Sequence, residues 1–210
     1  MDFRNKTDNP YVWAVAESFL HQYKDNAENL WPELVDKTFD IYDAESYKKD
    51  YGNTIDNDSP AQFVSKDKKV DLDNDSIIIV EELLGEFSNN QSYALIAHEL
   101  GHFVHDNNDS IVDTEIKADS SAHDLGLGNF MIEAIEIMKK CQKNTAISMF
   151  TYLQGLKESN ENTIKNFEKR ISALQDLQNN KKMNTYVKTE EMPISHQSIG
   201  AQRRSDAERD

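Results

Sequence analysis

The sequence predicts a helix-rich α+β fold with a small sheet and one central helix. Three observations predict it. Apolar residues recur at helical spacing over several long stretches. Only two short stretches, around 61–64 and 76–80, read as strands. One helical stretch, opening at Ser88 or Asn89, is apolar on most sides, as a helix covered all round must be.

The elements follow in order. Residues 10–24, PYVWAVAESFLHQYK, carry apolar side chains at helical spacing, with Asn9 as cap and Pro10 in the first turn. The apolar pattern from Trp31 to Tyr42 is expected to be helical as well. Residues 43–59 are rich in Asp, Lys, Asn, Ser and Tyr and are expected as loop. After Pro60, Ala61-Gln62-Phe63-Val64 is a short strand. Ser76-Ile77-Ile78-Ile79-Val80 is a β-branched run without polar alternation, as expected of a strand covered on both faces. In the central helix, Tyr93, Ile96, Ala97, Leu100, Phe103 and Val104 leave little polar surface. Residues 106–109 form a turn, and Ser110 with Asp113 resembles a capping box in weaker form. The next helix runs to about Leu125, where Gly126 and Gly128 break it. Another passes through Phe130, Ile135, Met138 and Cys141. The last places Ile164, Phe167, Ile171, Leu174 and Leu177 on one stripe. From about Met183 no period remains, and 183–210 is expected as a flexible tail. Residues 1–57 then read as an N-terminal helical segment, and 58–178 as the main domain, with both in one folded unit.

Bulk properties limit the partners. The chain has 210 residues and a net charge of −15. Phosphate backbones and anionic lipid surfaces repel such a chain, which argues against nucleic acid or membranes as partners. Cys141 is the one cysteine, so no intramolecular disulfide and no four-cysteine metal site can form. It is expected to be a buried, inert thiol. The start, MDFRNKTDNPYVW, lacks the basic and apolar regions of a signal peptide, and no apolar run approaches the ~20 residues that span a bilayer. The expectation is a soluble, cytoplasmic protein. The sequence leaves its oligomeric state open.

The chemistry lies in the central helix, which reads ALIAHELGH from Ala94 to His102. Residues four apart on a helix lie nearly above one another, so His98 and His102 can aim ring nitrogens at one ion. Glu99 stays near enough to act as general base on a water there. A buried helix with two histidines bonded to backbone is the plainer reading of the bare pattern. Two features favour the metal. Gly101 sits where a helix disfavours glycine by ~1 kcal/mol, which makes sense if another element packs closely there. An apolar helix holding His98, Glu99 and His102 also needs partners for buried polar groups, and zinc with a water supplies them.

A third ligand is needed, and Glu115 on the following helix is the choice. Asp119, one turn on, can accept the free ring N–H of a ligating histidine. Alone, Glu115 and Asp119 read as an acidic surface. Competing ligands are His105, Asp106, Asp109 and Asp113, and His123 can line the site. The position for a third histidine, six residues after His102, is Asn108. The acidic run Asp71-Leu72-Asp73-Asn74-Asp75, with Glu82 after it, imitates a calcium loop. Its sixth position is Ser76 rather than glycine, so it reads as an acidic turn feeding a strand.

ALIAHELGH followed by E-x-x-A-D resembles the HtpX/Oma-type gluzincin zinc metallopeptidases and their small soluble, often phage- or plasmid-borne relatives. The similarity extends beyond the motif. DSIIIVEELL (75–84) resembles the strand and loop before the family's metal helix, and SPAQFV (59–64) its edge strand over the cleft. EIKADSSAHDLGLGNF (115–130) resembles its second ligand helix, and FEKRISAL (167–174) its closing E-x-R-I-x-x-L. The resemblance implies a zincin-like domain over 58–178, with His98, His102 and Glu115 holding Zn2+ and Asp119 behind them. It implies a protein or peptide substrate lying along the edge strand, and hydrolysis in which Glu99 moves the proton. Arg170 would steady the developing oxyanion, although a surface arginine is the plainer reading. The family's His-Pro before that arginine is missing from Asn160-Glu161-Asn162-Thr163-Ile164, and only 12 residues separate His102 from Glu115. The short spacing is also similar to IrrE/ImmA-like regulatory peptidases. A non-catalytic zinc-stabilised regulatory module is therefore the alternative. A protein self-associating through its last helix is a further one.

Overall fold

The computed structural model describes residues 1–52, 59–68, 72–105, 110–149 and 155–190. The chain runs β1 (Asp2–Asn5), α1 (Pro10–Leu30), β2 (Thr38–Asp43), α2 (Ala44–Tyr51), β3 (Ala61–Val64), β4 (Asp75–Ile79), α3 (Glu81–Leu84), α4 (Asn89–Val104), α5 (Ile111–Asp124), α6 (Gly128–Met149) and α7 (Gly155–Glu190). This is the helix-rich α+β fold, with a small sheet and a central helix that carries the H-E-x-x-H residues. Residues 183–190, expected as the start of a flexible tail, continue α7 as helix, and the rest of the tail lies outside the described residues, as do Asp71, Asp106 and Asp109.

The sheet has the order β1-β2-β4-β3. β1, β2 and β4 are parallel, and β3 lies antiparallel on the edge. Every residue of β4 is buried. Ile77 and Ile79 enter the main core with α1 and α4, while Ile78 packs on the other face with Tyr42, Tyr47 and Leu72. A β-branched run covered on both faces behaves this way.

Three local expectations are corrected. The stretch from Trp31 to Tyr42 is a 3-10 turn at Pro32–Leu34 followed by β2, not a helix. Period-two alternation decides it. Phe39 and Ile41 enter the main core, while Tyr42 faces the second cluster and Asp40 binds Arg4 of β1 at 2.7 Å. Residues 44–51, expected as loop, form α2. The Asp43 carboxylate caps it by accepting the Ser46 N–H at 2.8 Å, and Tyr47 and Tyr51 pack edge-on to Tyr42 at 5.4 and 5.8 Å. Cys141 is exposed rather than buried.

Residues before and after position 58 build one sheet and one core. β1 and β2 pair into the sheet with β4, and Phe3, Phe19 and Phe39 share a cluster with Leu100 and Leu174. Among the described residues, no helix is long and apolar enough to cross a membrane.

Candidate metal centre and active site

α4 starts at a full capping box. The Ser88 N–H donates to Gln91 Oε1 at 2.8 Å, and the Gln91 N–H donates to Ser88 Oγ at 3.4 Å. The helix then passes through the core, burying every residue from Ser92 to Gly101. α5 is capped by Ser110, whose Oγ accepts the Asp113 N–H at 3.3 Å. The helices cross at Gly101. A Cβ there would stand 2.8 Å from Ala118 Cα and O and 2.7 Å from Ser121 Oγ. Only glycine lets the two backbones meet so closely.

This crossing brings the histidines of α4 against the carboxylates of α5. His98 Nε2 and His102 Nε2 are 3.1 Å apart. Glu115 completes a triangle, with Oε2 at 3.4 Å from His98 Nε2 and Oε1 at 3.4 Å from His102 Nε2. Among the described residues, His98, His102 and Glu115 are the group that can hold a metal ion.

Behind the triangle, Asp119 Oδ1 lies 2.8 Å from His98 Nδ1. That contact turns His98 Nε2 toward the other two donors. Asp119 is fully buried and is gripped in turn by Arg170 of α7. Arg170 Nε donates to Oδ2 at 2.7 Å and Nη2 donates to Oδ1 at 2.8 Å. Its Nη1 reaches Glu115 Oε2 at 3.0 Å. Arg170 is therefore buried, not a surface arginine, and its guanidinium is turned onto two carboxylates of α5.

The charges follow from these contacts. Burial opposes charge on His98, but Asp119 and Glu115 overcome it and raise its pKa to about 10. Burial and the charge of His98 lower His102 to about 4. Glu115 falls to about 2, because hydrogen bonding and charge from His98, helped by Arg170, outweigh burial. Without a metal, the facing histidines thus carry one positive charge near neutral pH, on His98, while His102 is neutral. Glu99 is 5% exposed, and burial pushes its carboxyl up to about 7. A group that titrates near neutrality suits proton transfer in both directions.

Glu99 also meets the edge strand. The Val80 N–H donates to Pro60 O at 2.9 Å, so Gln62 and Val64 turn their backbone groups to β4. Ala61 and Phe63 turn theirs to the open edge. The Phe63 N–H donates to the Glu99 carboxylate, which fixes the acid beside that edge. Nothing in residue spacing signals this bond, beyond the expectation that 61–64 flanks the cleft.

The other sequence candidates lie elsewhere. His105 Nε2 is 3.1 Å from Ser121 Oγ and helps tie the helix crossing. Asp113 accepts from Ser110 Oγ at 2.6 Å, and His123 lies 3.4 Å from Asp124.

The model of peptidase family M48 matches residues 69–175, more than half of the chain. The chain belongs to peptidase family M48. No curated protein and no solved structure matches it. M48 peptidases are metal-dependent and act on proteins or peptides. The matched span includes β4, the H-E-x-x-H helix, Glu115, Asp119 and Arg170.

Proposed function

We propose that this M48 member is a soluble, cytoplasmic zinc endopeptidase of the HtpX/Oma gluzincin type, with His98, His102 and Glu115 as the metal ligands. The single observation that carries the reading is the donor triangle. Tetrahedral zinc with bonds of about 2.0–2.1 Å sets its donors about 3.3 Å apart. The three separations here are 3.1, 3.4 and 3.4 Å. Two imidazole nitrogens and one carboxylate are also a donor set that favours zinc over calcium or magnesium.

When bound, zinc supplies Lewis acidity toward water and the scissile carbonyl. The remaining work falls to the chain. Glu99 takes the proton of the attacking water on its carboxylate and returns it to the leaving amine nitrogen. Asp119 holds His98 in the tautomer whose Nε2 faces the ion. Arg170, with Nε, Nη2 and Nη1 all turned onto Asp119 and Glu115, acts as a positioning residue rather than as the oxyanion stabiliser that the resemblance implies. The open edge of β3 offers the Ala61 N–H and the Phe63 carbonyl to an extended peptide, which lies there as an added strand. Residues 58–178 carry this machinery, and 1–57 complete the sheet beside it.

Two measurements test the reading. Elemental analysis of the wild type should give one tightly held zinc per chain, lost or much weakened in Glu115→Ala. Peptide hydrolysis by the zinc-loaded protein should vanish in Glu99→Gln while zinc stays bound. Wild-type protein offered zinc and purified without chelator, yet holding none, would overturn the metal centre. Activity unaffected by Glu99→Gln would overturn the mechanism. A zinc-bound wild type that cleaves nothing would favour the regulatory module.

A further inference from the structure

Phe63 of the edge strand is held to α4 at two points. Its N–H donates to the Glu99 carboxylate. Its ring lies edge-on to that of Phe103, with centroids 6.2 Å apart and planes at 71°. Glu99 and Phe103 are four residues apart on α4, so one side of the helix presents both. Phe103 also meets Phe39 of β2 edge-on, at 5.2 Å and 89°. β4 runs between β2 and β3, which therefore lie about 10 Å apart. The ring of Phe103 thus bridges the two strands across β4. Lys37 Nζ stands 5.6 Å from the same ring centroid and adds a cation–π contact. β3 itself is four residues long and pairs on one side only, with β4. As core packing alone, Phe103 would fill the space between helix and sheet. Its place is more particular, because it joins the helix of the general base to the strand that receives the peptide. The donors of the metal triangle lie on α4 and α5, and none lies on β3.

We infer that Phe103 is a positioning residue for the peptide: through its contact with Phe63 it fixes how far the edge strand stands from Glu99. This rests on the peptidase reading above. An added peptide strand takes its register from the main chain of Ala61 and Phe63. The carboxylate that moves the proton is bonded to the N–H of that same Phe63. A shift of β3 against α4 therefore moves the scissile bond away from its base. Misplacement by about 1 Å can slow an enzyme about a hundred-fold. The bond to Glu99 holds the backbone of Phe63 at one point only, and the ring contact supplies the second. Aromatic pairs of this kind are worth roughly two-fold to ten-fold in an equilibrium beyond their burial.

The test is a double-mutant cycle between Phe63 and Phe103 on the zinc-loaded full chain, with fluorogenic octapeptides as substrates. Leucine at either position keeps an apolar side chain and removes the ring contact. In Phe103→Leu, kcat/KM should fall roughly ten-fold. Peptide Kd, read by fluorescence anisotropy in the Glu99→Gln background, should rise with it. Phe63→Leu should do the same, and the double variant should be no worse than either single one. Bound zinc and zinc Kd, measured on each variant, should stay at the wild-type level. Packing alone would give losses that add, with zinc affinity falling alongside. Additive losses, a wild-type peptide Kd in Phe103→Leu, or parallel loss of zinc each overturn this proposal and leave the peptidase reading standing. Where Phe103→Leu does not fold, Phe63→Leu carries the same prediction, and an unchanged peptide Kd there overturns it. A zinc-loaded wild type that cleaves none of the octapeptides, with a Glu99→Gln variant that binds none, overturns both.

Discussion

Arg170 and Asp119 face each other through paired hydrogen bonds, Nε to Oδ2 at 2.7 Å and Nη2 to Oδ1 at 2.8 Å. Both are buried, at 8% and 0% exposed. The same guanidinium reaches Glu115 at 3.0 Å, and the same carboxylate reaches His98 at 2.8 Å. α7 thus holds the metal helices from behind. Arg170→Met leaves the buried Asp119 and the half-buried Glu115 without their guanidinium, and breaking the buried Arg170–Asp119 pair costs about 3–5 kcal/mol. Urea unfolding should show that loss. Arg170→Lys should recover little of it, because an ammonium is a point charge and cannot span both oxygens of Asp119 and also Glu115. A shift below about 0.5 kcal/mol in Arg170→Met would show that His98, which also contacts Asp119 and Glu115, satisfies both carboxylates without the guanidinium.

Gly101→Ala sets two effects against each other. Alanine gains ~1 kcal/mol of helix propensity over glycine. The added Cβ, however, would stand 2.8 Å from the Ala118 backbone, which cannot swing aside as a side chain can. Overpacking of this kind costs about 1–3 kcal/mol, and here it also spreads α4 from α5. The clash should win. Lower thermal stability and weaker zinc binding are expected together, since the donors sit on the two helices that would move. Gly85→Ala is the contrast, because a Cβ there meets nothing within 4 Å. Its melting temperature should stay at or above that of the wild type.

Much of this centre could be read from spacing, because a helix converts spacing directly into direction. His98 and His102 at i and i+4, and Glu115 and Asp119 at i and i+4, needed only that two helices cross. Gly101 announced the crossing. Arg170 was recognisable by resemblance, but its burial was not, since a helical arginine reads as surface unless its partners are known. β1 and β2 are not legible in the sequence for a related reason. DFRN and TFDIYD are too short to outvote the apolar pattern around them. β2 becomes a strand because β4 offers a parallel partner far along the chain, and β1 pairs with β2 in turn. The bond from the Phe63 N–H to Glu99 depends on which side of an edge strand faces outward, and that is fixed by register rather than by composition.

The start of the metal helix offers a smaller, cleaner test. Ser88 and Gln91 satisfy two backbone donors reciprocally, at 3.4 and 2.8 Å. Gln91 also donates to Glu133 of α6 at 2.9 Å. Ser88→Ala removes the longer of the two capping bonds and should cost about 1 kcal/mol in chemical denaturation. Ser88→Gly should cost only a few tenths of that unit, because glycine leaves the cap open to water. Equal losses in the two variants would mean that the hydroxyl matters through some contact other than the cap.

Metal uptake by this centre should displace a proton, and the contacts say which one. Glu115 is lowered to about 2, so it is already a carboxylate near neutral pH, and His102, lowered to about 4, is already neutral. Burial works against charge on His98, yet Asp119 and Glu115 hold its proton up to about 10. That proton competes with the ion for Nε2. Raising the pH removes the competitor, so the apparent Kd for zinc should fall about tenfold per pH unit from about pH 7 to about pH 9. In the metal-free chain the sign is reversed for stability. A folded pKa above the ordinary 6.5 makes the contribution of His98 complete below that value, and it is lost as pH rises through about 10. Calorimetric titration in buffers of different ionisation enthalpy should count about one proton released per zinc. Asp119→Asn withdraws the first of the two carboxylates that hold the proton, so its pH slope should flatten. A wild-type affinity independent of pH over this range would mean that His98 is neutral before the metal arrives.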